Sequence, residues 1–179
     1  MLKIALLAGA VVVGAALLVI IVGLLLPKSH VATRSIALHR PPEEVFRLIS
    51  DVKVAPAWRP EVQNVELLAP VDGHIRFREK SKSGALTMEI AESNSPSRMV
   101  TRIADLGLPF GGIWIFDIAP TADGSRLNIT ERGEIYNPVF RFVSRFILGY
   151  NRTLNTYLQN VSRKFDESSL PQDGTASLL

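Results

Sequence analysis

Two carboxylates and an arginine are the charged side chains of this sequence whose spacing allows a position inside the fold. Glu79 follows Ile75 and Phe77 at intervals of two residues, and Glu131 follows Leu127 and Ile129 at the same intervals. In a strand this spacing places each acid on the apolar face. A buried acid needs a partner, and Arg102 supplies one if its strand turns it inward. The alternative is that these strand ends lie in solvent.

Two tyrosines add polar groups that a bound molecule can use. A buried tyrosine hydroxyl needs a hydrogen-bond partner, and an oxygen of a ligand can be that partner, so Tyr150 and Tyr157 rank first among the aromatic residues. Motifs for nucleophilic, phosphate or dinucleotide chemistry are absent from the sequence. We therefore assign no catalytic residue and predict no cofactor.

The histidines and cysteines offer no metal site. His30, His39 and His74 are far apart in sequence and lack the spacing of metal ligands, so we interpret them as surface or hydrogen-bonded side chains. The chain has no cysteine, which excludes disulfide and thiolate chemistry. We predict no bound metal.

The elements that position these residues are mostly strands. Alternating apolar and polar residues, interrupted by clusters of Gly, Asp, Ser and Pro, predict strands at 31–38, 63–69, 74–80, 85–91, 99–103, 112–118 and 125–132. Their close spacing indicates an antiparallel meander with one buried face. A short helix at 42–50 begins with proline and two glutamates.

A long amphipathic helix is predicted to cover the apolar face of the sheet. Asn137 and Pro138 form a helix start, and a helical pattern continues from Val139 to Phe165. Apolar and aromatic residues share one side of it, and arginines share the other. We interpret the arginine stripe as a solvated face; a site for an acidic partner or a membrane surface is the alternative.

An uncharged apolar run precedes the strands. It extends from Ile4 to Leu26, and at about 1.5 Å per residue it is about 34 Å long, enough to cross a hydrocarbon core of about 30 Å. We predict a retained, single-pass membrane anchor. A cleaved signal peptide is the alternative, although its apolar region is normally only about 7–15 residues. The flanking lysines and arginines leave open which side the remainder faces.

Composition and pattern divide the chain into three parts. We predict an anchor at 1–27, one folded domain at 28–167 and a disordered tail at 168–179, where small polar residues show no period. The 20 basic and 17 acidic residues are nearly balanced, so we expect no nucleic-acid partner.

The predicted order of elements and three local motifs resemble one known superfamily. The segment 34–51, the Pro-Ala-Trp-Arg-Pro turn at 56–60, and the strands at 112–116 and 127–131 are similar to those of the SRPBCC or START-like superfamily. The closest resemblance is to its polyketide cyclase/dehydrase and lipid-transport branch. The resemblance implies an α+β helix-grip fold, in which a curved antiparallel sheet of about seven strands wraps a long C-terminal helix.

The resemblance also implies a hydrophobic cavity between sheet and helix. The residues whose phase directs them toward it are Phe77, Met88, Trp114, Phe116, Phe146, Tyr150 and Tyr157, with Trp58 packing near its opening and Glu79, Arg102 and Glu131 as polar candidates. Plain core packing is the alternative for each. Ala55 stands where the superfamily often has an aromatic residue, which would widen one end of the cavity.

An apolar loop with three glycines, 105–112, is the candidate lid of that cavity. Its apolar side chains are Leu106, Leu108 and Phe110, and the alternative is that these pack into the core. We hypothesise a membrane-anchored protein that binds or transfers a hydrophobic small molecule such as a lipid or a polyketide. A cyclase or dehydratase that uses Glu79 or Glu131 with a tyrosine, and a protein-interaction module, are the alternatives.

Overall fold

The structure is a computed structural model that describes residues 1–178, with the side chains of Leu2 and Ala5 excepted. Within this range it contains four α-helices and eight strands. The helices are α1 (Leu2–Leu25), α2 (Pro42–Ser50), α3 (Pro138–Val143) and α4 (Arg152–Lys164). The strands are β1 (Ser29–Leu38), β2 (Val62–Val71), β3 (His74–Ser81), β4 (Gly84–Asn94), β5 (Arg98–Ile103), β6 (Phe110–Thr121), β7 (Gly124–Ile135) and β8 (Gln172–Asp173). The α+β class predicted from the sequence is confirmed.

The strands form one curved antiparallel sheet in the order β2-β3-β4-β5-β6-β7-β1-β8. Strands β2 to β7 follow the chain as a meander, because each is joined to the next by a tight turn or short loop. Strand β1 then pairs with β7 along its whole length, from Ser29 opposite Glu134 to Leu38 opposite Ser125. The first strand of the domain therefore lies beside the last long one.

The core lies between the concave face of the sheet and helices α2 and α4. Helix α4 contributes Leu154, Leu158 and Val161, all fully buried, and α2 contributes Val45, Phe46 and Ile49. Each apolar side chain of this size stabilises the fold by about 1.5–3 kcal/mol when it is fully buried. This packing fixes α4 over one part of the sheet and leaves another part open.

The C-terminal helix is interrupted, unlike the continuous helix predicted from 139 to 165. Asn137 Oδ1 accepts hydrogen bonds from the N–H groups of Val139 (2.9 Å) and Phe140 (3.1 Å), as a helix cap should. Helix α3 ends at Val143, a π-helical turn covers Ser144–Leu148, and Gly149 has φ 72° and ψ 154°. That conformation is essentially restricted to glycine, so the chain changes direction before α4 begins.

The C-terminal segment has a defined path along the sheet, unlike the predicted disordered tail. Strand β8 pairs with Arg34 and Ser35 of β1, and the guanidinium of Arg34 contacts the Asp173 carboxylate. Further along, Asn128 Nδ2 donates to the carbonyl of Thr175 (3.0 Å). The physical reason is that the free edge of β1 offers main-chain partners, which need no apolar periodicity in the segment that binds them. The division of the chain at 27 and 167 stays a prediction.

Helix α1 joins the domain through a very short connection. Leu6–Leu25 is long and apolar enough to cross a membrane, and most of its side chains are exposed. Only residues 26–28 separate α1 from β1. The Arg141 guanidinium, which is 5% exposed, donates to the Leu26 carbonyl (2.9 Å), and the N–H of Ile135 donates to the Lys28 carbonyl (2.8 Å). The end of α1 is thereby held against the domain.

Candidate ligand-binding cavity

A cavity of about 450 Å³ lies between the concave face of the sheet and the C-terminal helices. Its wall is mainly apolar and includes Phe77, Leu86, Met88, Trp114 and Phe116 from the strands, with Ile49 and Ala55 from the segment before β2. Small-molecule sites in proteins have volumes of about 300–1,000 Å³ and similar walls. The cavity is therefore large enough for a small organic molecule.

The structure brings most of the residues predicted from phase into this wall. Trp58, Phe77, Met88, Trp114, Phe116, Tyr150 and Tyr157 all line the cavity, as do Glu79 and Glu131. Their contact with a ligand stays a prediction. Phe146 lies elsewhere: it is in the π-helical turn, 58% exposed, with its ring 5.0 Å from that of Phe142. Its predicted position was wrong because the helical phase does not continue through Gly149.

Tyr157 stands at the centre of an aromatic cluster in the cavity wall. Its ring meets those of Trp58 and Trp114 nearly edge to face, at centroid distances of 5.3 and 5.6 Å, and that of Phe116 at 5.6 Å. Such arrangements are favoured by the aromatic quadrupole and each adds about 0.5–1.5 kcal/mol beyond area burial. The cluster gives this wall a fixed shape.

An arginine and a glutamate form the charged part of the cavity. Arg59 donates two hydrogen bonds to the Glu79 carboxylate, both 2.8 Å long, and its Nε donates to Glu61 at 3.0 Å. The Arg59 guanidinium also lies 5.2 Å from the centroid of the Tyr157 ring. Two parallel bonds of this kind fix both side chains in orientation.

Arg102 is not the partner of Glu79 that the sequence suggested. Its Nη2 lies 2.8 Å from Oε1 of Glu89, which faces it across β4 and β5. Because Thr101 lines the cavity, the neighbouring Arg102 projects from the opposite face of the sheet. Sequence reasoning missed Arg59, since it lies in a turn where period-two patterns give no direction.

The charged group and the aromatic cluster shift each other's pKa. Burial disfavours the charge of Arg59, but the Glu79 carboxylate, Tyr157 and the hydrogen bonds to Glu79 and Glu61 outweigh it and raise the pKa of Arg59. Burial raises the pKa of Tyr157, the nearby Arg59 lowers it in part, and the charges of Glu79 and Glu61 raise it further. Tyr157 therefore presents a neutral hydroxyl and Arg59 a permanent cation.

A second polar group surrounds His30. Its ring stacks on that of Tyr150, with centroids 4.0 Å apart and planes 14° from parallel, and its Nε2 lies 3.8 Å from Oε1 of Glu131. A side chain at Gly133 would overlap the imidazole, so glycine makes room for it. His30 was interpreted from the sequence as a surface or satisfied histidine. The signal for its position was its period-two spacing from Ala32.

The loop predicted as a lid lies at the edge of the cavity. Phe110 lines the cavity and is partly exposed, Leu108 is partly buried, and Leu106 is 99% exposed. Asp105 fixes the start of the loop, because its carboxylate accepts a hydrogen bond from the N–H of Thr87 (2.6 Å), which lowers the pKa of Asp105. Packing of all three side chains into the core is thus not what the structure shows. Movement as a lid stays a prediction.

This arrangement suits binding of a mainly apolar molecule with a polar group. Across residues 1–178, no group of three or more His, Cys, Asp or Glu side chains is arranged to hold a metal ion. Hydrogen bonding is available from the Tyr157 hydroxyl and from the His30 and Arg59 groups, and the remaining wall offers dispersion contacts.

Comparison with known proteins identifies relatives of this fold. A family model described as polyketide cyclase/dehydrase and lipid transport matches residues 29–160. The sequence matches none of the curated proteins.

Solved structures share the fold at low sequence identity. The di-domain ARO/CYC StfQ from the steffimycin biosynthetic pathway is 12% identical with a TM-score of 0.60; the match covers 74% of this chain and 50% of StfQ. A START superfamily protein from Mycobacterium smegmatis is 15% identical with a TM-score of 0.57, covering 77% of this chain and 97% of that protein. A hypothetical protein from Helicobacter pylori is 10% identical with a TM-score of 0.61, covering 75% and 87%. This chain thus spans half the length of StfQ, and these matches show the START-like fold alone.

Proposed function

Since this chain belongs to the polyketide cyclase/dehydrase and lipid transport family, we propose that it is a membrane-anchored module that binds or transfers a hydrophobic small molecule. The observation that carries the proposal is the cavity of about 450 Å³ between the sheet and the C-terminal helices. Contact between water and the apolar wall of a cavity raises the free energy of the protein, and an apolar ligand that covers the wall lowers it. A lipid or a polyketide-like compound has the required chemistry.

The polar groups of the cavity support an amphipathic ligand. Arg59 and Tyr157 lie together, and His30 and Tyr150 form the other group, while strand side chains such as Phe77 and Met88 are apolar. A ligand with one polar end can accept a hydrogen bond from either of these two pairs of residues and place its apolar part against the strands.

The apolar helix supports membrane anchoring. The span Leu6–Leu25 is almost fully exposed in the folded chain, so the protein itself does not bury it. A bilayer would cover that surface, whereas a signal sequence with the same composition would be removed. N-terminal sequencing of the protein recovered from membranes distinguishes the two: we expect the helix to be retained.

Native mass spectrometry of the full chain released from lipid nanodiscs tests ligand binding. We expect a co-purifying adduct of lipid size. Met88→Trp should abolish the adduct by filling the cavity, whereas Leu67→Trp, on a partly exposed side chain of β2 outside the cavity, should retain it. Absence of any adduct on the wild-type chain, or an undiminished adduct on Met88→Trp, would overturn the proposal.

An enzyme of cyclase or dehydratase type is the second candidate, and the His30–Glu131 pair favours it. The two side chains face the cavity together at 3.8 Å, next to the Tyr150 ring, where they can move a proton on a bound substrate. Glu79 is less available to a substrate because Arg59 donates a hydrogen bond to each of its oxygens. Turnover of a bound polyketide that Glu131→Gln abolishes, with the adduct retained, would establish this candidate.

A further inference from the structure

We propose that the cavity mouth is a bilayer-contacting surface, so that the ligand enters from the membrane rather than from water. The surface is an apolar rim made of Leu106, Phe110, Phe140, Phe146, Ile147 and Leu148. This proposal rests on the membrane anchoring proposed above. It further identifies the part of the domain that contacts the bilayer.

The first argument is the depth at which α3 lies. Gly23 of α1 is buried against the main chain of Pro138, the first residue of α3, and α3 is the element packed against α1. The partly covered side chains of Val19, Val22 and Leu26 lie on the same helical stripe as Gly23. This stripe extends about 10 Å from the end of α1, at about 1.5 Å per residue.

Because α1 is only slightly longer than the hydrocarbon core, an element packed against its end lies close to the membrane interface. The apolar run is about 34 Å long, only about 4 Å more than the hydrocarbon core it must cross. An element that packs along the last 10 Å of α1 is therefore placed at the headgroup and acyl boundary. Amphipathic helices at membrane interfaces bury their apolar face about 5–10 Å into this region.

The second argument is that the side chains at this end of the domain are apolar and exposed. Ile147 is 68% exposed and Leu106 is 99% exposed, and the remaining rim side chains are also exposed. The two parts of the rim are joined, because the N–H of Tyr136, just before α3, donates to the carbonyl of Pro109 in the loop (2.8 Å). Exposed apolar patches of this kind mark interaction sites.

The turns at the opposite end of the sheet are polar. Its turns are Asp72-Gly73, Asn94 to Ser97 and Ala122 to Gly124, which are polar and mostly exposed. The antiparallel meander places these turns far from α1, at the other ends of the same strands. The turns at the end away from the anchor are thus polar. At the end beside the anchor, the β5–β6 loop and the segment after α3 are apolar, and the β3–β4 turn, Lys82-Ser83, is polar.

The third argument connects the rim to the cavity. Phe110, Phe140 and Leu148 line the cavity and are also exposed on the outer surface. An apolar molecule can pass between these side chains from a bilayer without crossing water. A rim that faced water would expose the same path to solvent, at a cost of about 25 cal/mol per Å² of apolar area.

Spin labelling of the full chain in nanodiscs of phosphatidylcholine and phosphatidylglycerol tests the surface. Because the chain has no cysteine, Ile147→Cys and Leu106→Cys each give one labelled site, and both side chains are exposed enough to change without loss of fold. We expect both labels to collide with oxygen and to lose collisions with aqueous nickel-EDDA. The control Asp123→Cys, in a turn at the polar end, should collide freely with nickel-EDDA.

Each contrary result has a distinct meaning. Free access of nickel-EDDA to both rim labels would overturn the membrane contact. Strong dipolar coupling between Ile147 labels on two chains would show instead that a second copy covers the rim. If the chain carries a lipid adduct while the rim labels are exposed to water, the binding function is supported and the membrane contact of the rim is contradicted. If the rim labels are buried in the bilayer and no adduct is found, the membrane contact is supported and the binding function is contradicted.

Discussion

Tyr157 is the residue at which the apolar and charged parts of the cavity meet. Its ring contacts three aromatic side chains, and the Arg59 guanidinium lies over its face. A cation over an aromatic ring is favourable by about 0.5–2 kcal/mol, and more so when water is excluded. The ring thus supports both the shape of the wall and the position of Arg59.

Tyr157 should make the stability of the domain sensitive to high pH. An unfolded tyrosine ionises near pH 10, and burial raises the pKa of Tyr157 in the fold, so the folded protein keeps a proton that the unfolded chain releases. This contribution is present in full below about pH 10 and is lost as pH rises toward the folded pKa. Urea unfolding at increasing alkaline pH should show this loss in the wild type and a smaller loss in Tyr157→Phe.

The matched control is Tyr136→Phe, which changes an exposed tyrosine. The hydrogen bond to Glu134 also raises the pKa of Tyr136, but water screens this exposed contact, so Tyr136→Phe should retain most of the wild-type dependence on pH. Equal slopes for the wild type and Tyr157→Phe would show that Tyr157 does not remain protonated in the folded state.

At this scale the sequence predicted side-chain directions well inside strands and poorly outside them. Phe77, Met88 and Trp114 were placed correctly in the cavity wall because alternation fixes which face a strand residue occupies. Arg59 could not be predicted, since direction in a turn depends on tertiary packing. The face of Arg102 was left open because β5 has too few residues to define its phase, and the structure places this side chain beside Glu89, away from the cavity.

Among the elements, the segment between α3 and α4 departs most from its sequence pattern. Apolar residues recur at helical spacing on both sides of Gly149, so periodicity alone predicts one continuous helix. Only Gly149 itself argued against one continuous helix, and this is weak evidence because isolated glycines occur inside helices. The interruption places Leu148 and Tyr150 at the cavity while Phe146 remains outside.

Gly149→Ala should destabilise the domain by about 1–3 kcal/mol, because its φ of 72° with ψ of 154° is accessible essentially only to glycine. The loss is strain rather than a clash, since no atom beyond the adjacent residues lies within 4 Å of the added methyl group. Urea unfolding of the purified chain measures the change.

Gly9→Ala is the matched control for this change. It adds the same methyl group to an open position in α1, where the backbone is helical, so we expect no loss of stability in the domain. An unchanged midpoint for Gly149→Ala would show that this segment relaxes into a conformation open to other residues, such as a continuous helix.

For the molecule as a whole, the meander was predictable and the positions of the two chain ends were not. Turn clusters between alternating segments define the order β2 to β7 directly. The path of the C-terminal segment depends on main-chain and polar contacts, such as that of Ser177 N–H with the Thr130 hydroxyl (3.0 Å), and these leave no period in the sequence.

Deleting residues 171–179 should lower the melting temperature. Arg132 Nη2 donates to the Ser177 carbonyl at 2.8 Å and Asn128 Nδ2 to the Thr175 carbonyl at 3.0 Å, and each such bond is worth about 0.5–1.5 kcal/mol. A chain of this size loses about 2–4 °C for each kcal/mol. Thermal unfolding followed by circular dichroism measures the change.

Ser177→Ala serves as the comparison, since it keeps the main-chain contacts of the segment and removes one hydroxyl. Its melting temperature should fall by less than that of the deletion. A deletion variant that melts like the wild type would show that the segment adds nothing to stability.

The pairing of β1 with β7 has a consequence for biosynthesis. Ser29 leaves the ribosome long before its neighbour Glu134, which lies opposite it in the finished sheet. Until β7 is translated, β1 has an unpaired edge, and such edges are where chains associate wrongly. Ribosome stalling before β7 should therefore leave a nascent chain that depends on chaperones, whereas stalling after β7 should not.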